Sequence, residues 1–341
     1  MKRAYLLFLA LILAIVFASS AFCDTITTPV ARVNLNKTRV ITQEEIDQQR
    51  QLYKDVYGID MDQAQVLESM IADELLSQAL ERDSFILTED AKDQLLAEQR
   101  KSVEDQVGMA LTDEQFATVI QNNFGGTVEE FREALAEQYC VQNYIYSKKA
   151  DMFSSENITP TNAEVEAYYK KNKTTFINEE NVKLSHIFFE SGDDPDAALQ
   201  KANDVLNQIR TGKITFEKAV TLYSDDENST SKGGDIGYLF INDTSVIQDL
   251  GQSFVDGCFA VDVGDISDVI QSNAGYHIVK IIAHNDPKFL GIDDPTSPSS
   301  TSTVRDYIIN VLAQNKANEI FQQAYQSLIS DLRNEASIRY L

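Results

Sequence analysis

Two histidines far apart in the chain each sit inside a short apolar run that reads as a strand: Leu184-Ser185-His186-Ile187-Phe188-Phe189 and Ala274-Gly275-Tyr276-His277-Ile278-Val279. Between them lie Tyr223-Ser224-Asp225-Asp226, Lys232-Gly233-Gly234-Asp235-Ile236-Gly237, then Leu250, Phe254 and Phe259, then Gly264-Asp265-Ile266-Ser267. Imidazoles and carboxylates are the side chains from which hydrogen-bonded sites are built. The rest of the sequence narrows the chemistry. There is no C-x-x-C, H-x-x-x-H or H-E-x-x-H spacing to hold a metal, and His284 is the one further histidine. No G-x-S-x-G or Walker A run occurs, so hydrolase and nucleotide readings have little support. Gly233, Gly234 and Gly237 read as a tight turn before a strand; a phosphate cradle would precede a helix and want positive charge nearby. Taken singly, each histidine is a satisfied core residue, and the two phenylalanines are ordinary core packing.

Taken in order, these pieces resemble the parvulin peptidyl-prolyl cis/trans isomerases. That pattern runs strand-SHI, a helix, a helix ending in S-D, GGD-hydrophobic-G, F-x-x-x-x-F, G-x-hydrophobic-S and G-hydrophobic-H-I. The resemblance implies a four-stranded antiparallel sheet flanked by helices, and rotation about X–Pro bonds with no nucleophile, metal or cofactor. It implies that Leu250, Phe254 and Phe259 form an apolar proline pocket, with Leu250 replacing the more usual Met. His186 and His277 would orient each other beneath that pocket, with Ser272 at the place of a hydroxyl partner. Asp226 would stand near the twisting carbonyl, where its charge disfavours the charge-separated amide resonance form; the plain alternative is a solvated acid in the run Asp225-Asp226-Glu227. Ala274 replaces a common hydroxyl residue, so one possible hydrogen bond at the site is missing. His284 matches nothing in the pattern and reads as solvated. The loop Glu190-Ser191-Gly192-Asp193-Asp194-Pro195-Asp196 is acidic where phosphate-directed relatives are basic, so phosphorylated substrates are not expected.

The elements that must position this set begin with Met1-Lys2-Arg3, an apolar stretch from Ala4 to Phe17, and the small residues Ala18, Ser19, Ser20 and Ala21. This reads as a secretory signal over residues 1–23, whose apolar stretch of about 14 residues is shorter than the ~20 residues of an ordinary membrane span. Cleavage after Ala21 or Cys23 is expected, with an uncleaved anchor or a lipid on Cys23 as alternatives. The expected location is periplasmic, with a lipid anchor through Cys23 as the alternative. The formal net charge of −24 repels nucleic acid and anionic headgroups. It leaves neutral or basic polypeptides as partners, or serves only to keep an exported protein in solution. Cys140 and Cys258 are expected as buried free thiols.

Val30 to Leu35, an Asn36-Lys37 turn and Arg39-Val40-Ile41 read as a hairpin. Thr42-x-x-Glu45, Thr112-x-x-Gln115 and Thr127-x-x-Glu130 read as capping boxes that open helices. The periodicity of Val66, Leu67, Met70, Ile71 and Leu75 gives another helix, and Phe131, Leu135, Cys140, Tyr144 and Tyr146 a long one. Residues 287–303, rich in Pro, Ser and Thr, read as an exposed linker. Val304 to Leu332 returns to helical spacing and Ala336 to Leu341 alternates like a strand. These flanks resemble exported SurA/PrsA-type chaperones, in which N- and C-terminal segments share one helical core and the parvulin module is looped out. Neither amphipathic half has enough partner surface alone, which independently favours their packing together. The whole reads as an α+β chain: residues 24–177 as the N-terminal helical segment, 178–286 as the parvulin domain and 304–341 as the C-terminal helix and strand. Its partners would be unfolded or nascent exported polypeptides and their proline-containing segments, with no nucleic acid or small-molecule cofactor, near or away from a membrane. The open alternative is a holdase whose parvulin module only binds or spaces.

Overall fold

The computed structural model describes residues 28–341, so the expected signal segment and Cys23 lie outside the described residues. Strands β1 (Pro29–Asn34) and β2 (Thr38–Thr42) form the expected hairpin. Helices follow at α1 (Gln43–Tyr57), α2 (Gln63–Arg82), α3 (Glu89–Val107), α4 (Asp113–Phe124) and α5 (Val128–Lys148). Next come α6 (Asn162–Lys171), β3 (Ile177–Asn178) and β4 (Asn181–Glu190), then α7 (Pro195–Arg210), α8 (Phe216–Tyr223) and β5 (Asp235–Phe240). The chain continues through α9 (Thr244–Leu250), α10 (Gln252–Phe259), β6 (Ile270–Gln271), β7 (Gly275–Asn285) and β8 (Lys288–Phe289), and ends in α11 (Val304–Glu335) and β9 (Ser337–Tyr340).

The three capping boxes read from sequence open α1, α4 and α5, with each Thr side chain and its Glu or Gln partner satisfying free backbone N–H groups. Two more, Asp62 with Gln65 and Thr161 with Glu164, open α2 and α6.

Contacts divide the chain into two compact units: residues 28–159 with Asn315–Leu341, and Pro160–Gln314. In the first, a three-stranded sheet of order β2-β1-β9 pairs the N-terminal hairpin with the C-terminal strand. Its core joins Val66, Ile71 and Leu75 of α2 and Tyr144 and Ile145 of α5 to Ala324, Leu328, Ile329 and Leu332 of α11. The expected shared core of both chain ends is therefore present. Tyr146 of α5 is 40% exposed; its ring rests on Phe153 and Phe321. Gln78, fully buried, accepts the Leu35, Asn36 and Lys37 N–H groups at 3.0–3.2 Å and so fixes the β1–β2 turn. Cys140 is buried and free.

In the second unit an antiparallel four-stranded sheet of order β5-β4-β7-β6 separates two apolar layers. Ile187, Phe189 and Ile278 pack on α7 and α8 on one face. Val182, Leu184, Val279 and Ile281 pack on Phe254, Val255 and Cys258 of α10 on the other. Cys258 is free and sealed in this second layer, where burial pushes its thiol up to about 12.

Residues 287–303 are not the exposed linker their composition suggests. Leu290 is buried with Val165, Val304 and Ile308, and its N–H donates to Phe176 O at 2.9 Å. Asp294 accepts the Gly291 N–H at 3.0 Å and Asp293 holds Arg305 at 2.7 Å. The polar side chains that mark the run as loop-like also satisfy its backbone and tie it down.

Candidate active site

His186 and Phe188 alternate on β4 toward the face that α10 covers, and His277 meets Phe188 across the β4–β7 ladder. The His277 ring lies 4.8 Å from Phe188, 4.6 Å from Phe254 and 5.4 Å from His186, centroid to centroid. These rings floor a cleft of about 480 Å³ lined by His186, Phe188, Asp225, Asp226, Glu227, Asn228, Leu250, Ala274 and His277.

The Ser224-Asp225-Asp226 segment is docked along β4 by its own polar atoms. Ser224 Oγ accepts the Phe188 N–H at 3.1 Å, the Asp225 N–H donates to Phe188 O at 2.8 Å, and Asp225 Oδ2 accepts the Glu190 N–H at 3.0 Å. This pinning brings Asp226 Oδ2 to 2.9 Å from His186 Nε2. Behind it, Gly234 O accepts the His186 N–H at 2.9 Å. Gly234 has φ +81°, and a Cβ there would collide with the His186 carbonyl oxygen. The GGD turn thus has a structural purpose, which is to let the next strand lie against the histidine's backbone.

A line of hydrogen bonds crosses the floor. His186 Nδ1 and His277 Nδ1 are 3.3 Å apart, and His277 Nε2 is 2.8 Å from Ser272 Oγ. Ser272 Oγ also accepts the Ala274 and Gly275 N–H groups, each at 3.1 Å. Burial pulls His277 down to about 3, assisted by the neighbouring His186; burial likewise lowers His186, against the pull of Asp226. Burial would raise Asp226, but the Ser229 hydroxyl, His186 and the Asn228 N–H together hold it below the usual carboxylate range. At neutral pH the set is therefore two neutral imidazoles and one carboxylate. The proton count then fixes the tautomers. His186 Nε2–H donates to Asp226, His277 Nδ1–H donates to His186, and the Ser272 O–H donates to His277 Nε2.

Of the residues expected to form the site, His186, His277, Asp226 and Leu250 line the cleft, with Ser272 behind them. Phe254 is 1% exposed and backs His277 from the core without lining the cleft. Phe259 does not join them. Its ring meets His284 edge-on at 5.6 Å and packs in the apolar layer under the sheet, because five residues on a helix carry a side chain well around from its start. His284 is not simply solvated: its Nε2 lies 2.8 Å from Glu180 Oε1. Phe188, Glu227 and Asn228 were not singled out in the sequence. Phe188 was available from strand alternation with His186; Glu227 and Asn228 carry no periodic signal. Asn273 likewise carries no sequence signal, yet its N–H donates to Leu250 O at 2.9 Å and fastens the Leu250 end of α9 to the turn holding Ser272 and Ala274.

The rotamase family model, described as the PPIC-type PPIASE domain, matches residues 186–283. The chain is 24% identical over 286 residues to a foldase protein PrsA of Halalkalibacterium halodurans, spanning 84% of this chain and 74% of that one. It is 26% identical over 301 residues to a PrsA foldase of Clostridium kluyveri, spanning 85% and 79%. A SurA-like chaperone structure from Campylobacter jejuni aligns with 89% of this chain and 97% of its own at 19% identity and a TM-score of 0.35. Residues 186–283 thus match the PPIC-type rotamase domain of the parvulin isomerases, and most of the chain is similar in sequence to PrsA foldases.

Proposed function

We propose that the cleft isomerises X–Pro bonds in unphosphorylated segments of exported polypeptides, and that the helical unit holds those polypeptides while they fold. The observation that carries the reading is the pairing of two neutral, mutually oriented histidines with one ionised carboxylate in a cleft whose described lining has no cation and no nucleophile set. Rotation about X–Pro must break amide resonance, a barrier of about 20 kcal/mol. Burying the proline against Leu250 and Phe188 removes water from the amide, and water favours the planar, charge-separated form. The Asp226 carboxylate disfavours negative charge on the carbonyl oxygen, which weakens the C–N double-bond character. The histidines and Ser272 hold Asp226 and the floor in place and exchange no proton with the substrate. Phe254 supports His277 from behind. The catalytic module is taken as residues 178–286, and the protein as acting outside the cytoplasm after export.

The test compares a short Ser-Pro peptide with its phosphoserine form by NMR exchange, alongside an aggregation-suppression assay on an unfolded client. Acceleration of the unphosphorylated peptide alone is expected; acceleration of the phosphopeptide alone would overturn the assignment. A holdase reading without turnover draws on two observations: Ala274 offers no hydroxyl at the cleft rim, and Phe254 is sealed in the core. It stands if aggregation is suppressed while neither peptide is accelerated.

A further inference from the structure

We propose that the cleft selects X–Pro bonds in which X is Lys or Arg, and that Glu227 is the residue that sets this preference. The inference rests on the isomerase reading of the same cleft and adds its substrate class. The residue X owns the carbonyl that twists, so its side chain leaves the backbone beside the group that faces that carbonyl, Asp226. The neighbours of Asp226 on that wall are Asp225, Glu227 and Asn228, and no Lys or Arg is among the lining residues.

The three acids are not equally available. Asp226 is bound to His186 at 2.9 Å. Asp225 holds the Glu190 N–H, and Lys201 stands 3.4 Å from its other oxygen, which offsets part of its charge. Glu227 is exposed and makes no ion pair among the described residues. It opens a short helical turn, Glu227–Thr230, whose capping bond comes from Asp226, so the cap does not use the Glu227 carboxylate. A cationic X side chain meets one free carboxylate and a negative field behind it, while an acidic one is repelled. Each exposed charge pair of this kind is worth about a 1.5- to 5-fold effect, and screening reduces it further as salt rises.

The experiment measures isomerisation and binding of four fluorescent peptides, identical except for Lys, Arg, Ala or Glu before the proline, with the full chain and its Glu227→Lys variant. Lys and Arg are expected to exceed Ala, and Ala to exceed Glu, with Lys over Glu by about tenfold at low salt from two such pairs. The gap is expected to close at about 1 M salt, where the screening length falls to about 3 Å, and to narrow or invert in Glu227→Lys. Equal values for Lys, Ala and Glu, or a ranking that salt and Glu227→Lys leave unmoved, would overturn the inference. If no peptide is isomerised, the isomerase reading fails by itself. The binding arm then still decides the preference, since charge selection requires no turnover.

Discussion

At the scale of single residues, the cleft depends on keeping two histidines neutral beside a carboxylate. Leu250 touches the cleft and is only partly buried, so Leu250→Ala probes the proline contact with little loss of fold. Losing about 1.5–2 kcal/mol of apolar contact is expected to lower kcat/KM about 10- to 30-fold, measured by peptide exchange with thermal unfolding as the control. Phe254→Ala is a poorer probe, because removing a sealed core ring costs about 3–5 kcal/mol of stability before any substrate binds. Acid sensitivity follows from His277. Its folded value of about 3 lies below the ordinary histidine value, so the unfolded chain takes up the proton first. The stability from keeping it neutral is complete above about pH 6.5 and drains away as pH falls toward about 3, at up to about 1.4 kcal/mol per pH unit. Urea midpoints of the wild type are expected to fall across that window. A flat profile from pH 7 to pH 4 would count against the buried neutral pair.

At the scale of elements, two turns carry more than their length suggests. Gln78 supplies one oxygen to three backbone N–H groups at the β1–β2 turn. Gln78→Leu leaves those donors unpaired in a buried setting and is expected to destabilise the first unit by about 2–4 kcal/mol, read from its denaturation midpoint. Gly234→Ala strains a left-handed backbone and drives a methyl into the His186 carbonyl. The parvulin unit is expected either to fail to fold or to lose peptide turnover, and a wild-type-like rate would show that this turn does not position His186. Elements were the most legible level of the sequence. The capping boxes and hairpin carry local side-chain rules, and the GGD turn carries a backbone one. The site was legible where strand alternation or an ordered motif placed a residue, as with His186, Asp226, Leu250 and His277. It was not legible for Phe259, whose direction depends on how α10 rotates against the sheet, nor for Glu227 and Asn273, which matter only through what folding brings beside them. The 287–303 run misled because the same Ser, Thr and Asp side chains suit a loose connector and a tied-down one.

At the scale of the whole molecule, the first unit is assembled from both ends of the chain. Ala324, Leu328, Ile329 and Leu332 complete its core and β9 pairs with β1. A fragment ending at Asp151 lacks all of these and is expected to be insoluble or non-cooperative, and co-expression with residues 304–341 to restore it. A soluble, cooperatively melting 28–151 fragment would contradict the shared core. Residues 160–314 are expected to fold alone, judged by a cooperative melt. The shorter 178–286 piece keeps the sheet and cleft but loses Val165, Leu290, Val304 and Ile308 as a cluster, and is expected to melt lower. The central claim, that the cleft turns over proline bonds, is tested most directly by cis/trans exchange of an unphosphorylated X–Pro peptide. Exchange would be followed by NMR with the full chain and with Asp226→Asn. The wild-type chain is expected to accelerate exchange above background, and Asp226→Asn to lose about tenfold, as a field effect of about 1.4 kcal/mol requires. Wild-type exchange at the uncatalysed rate, in a preparation that still suppresses aggregation, would contradict it.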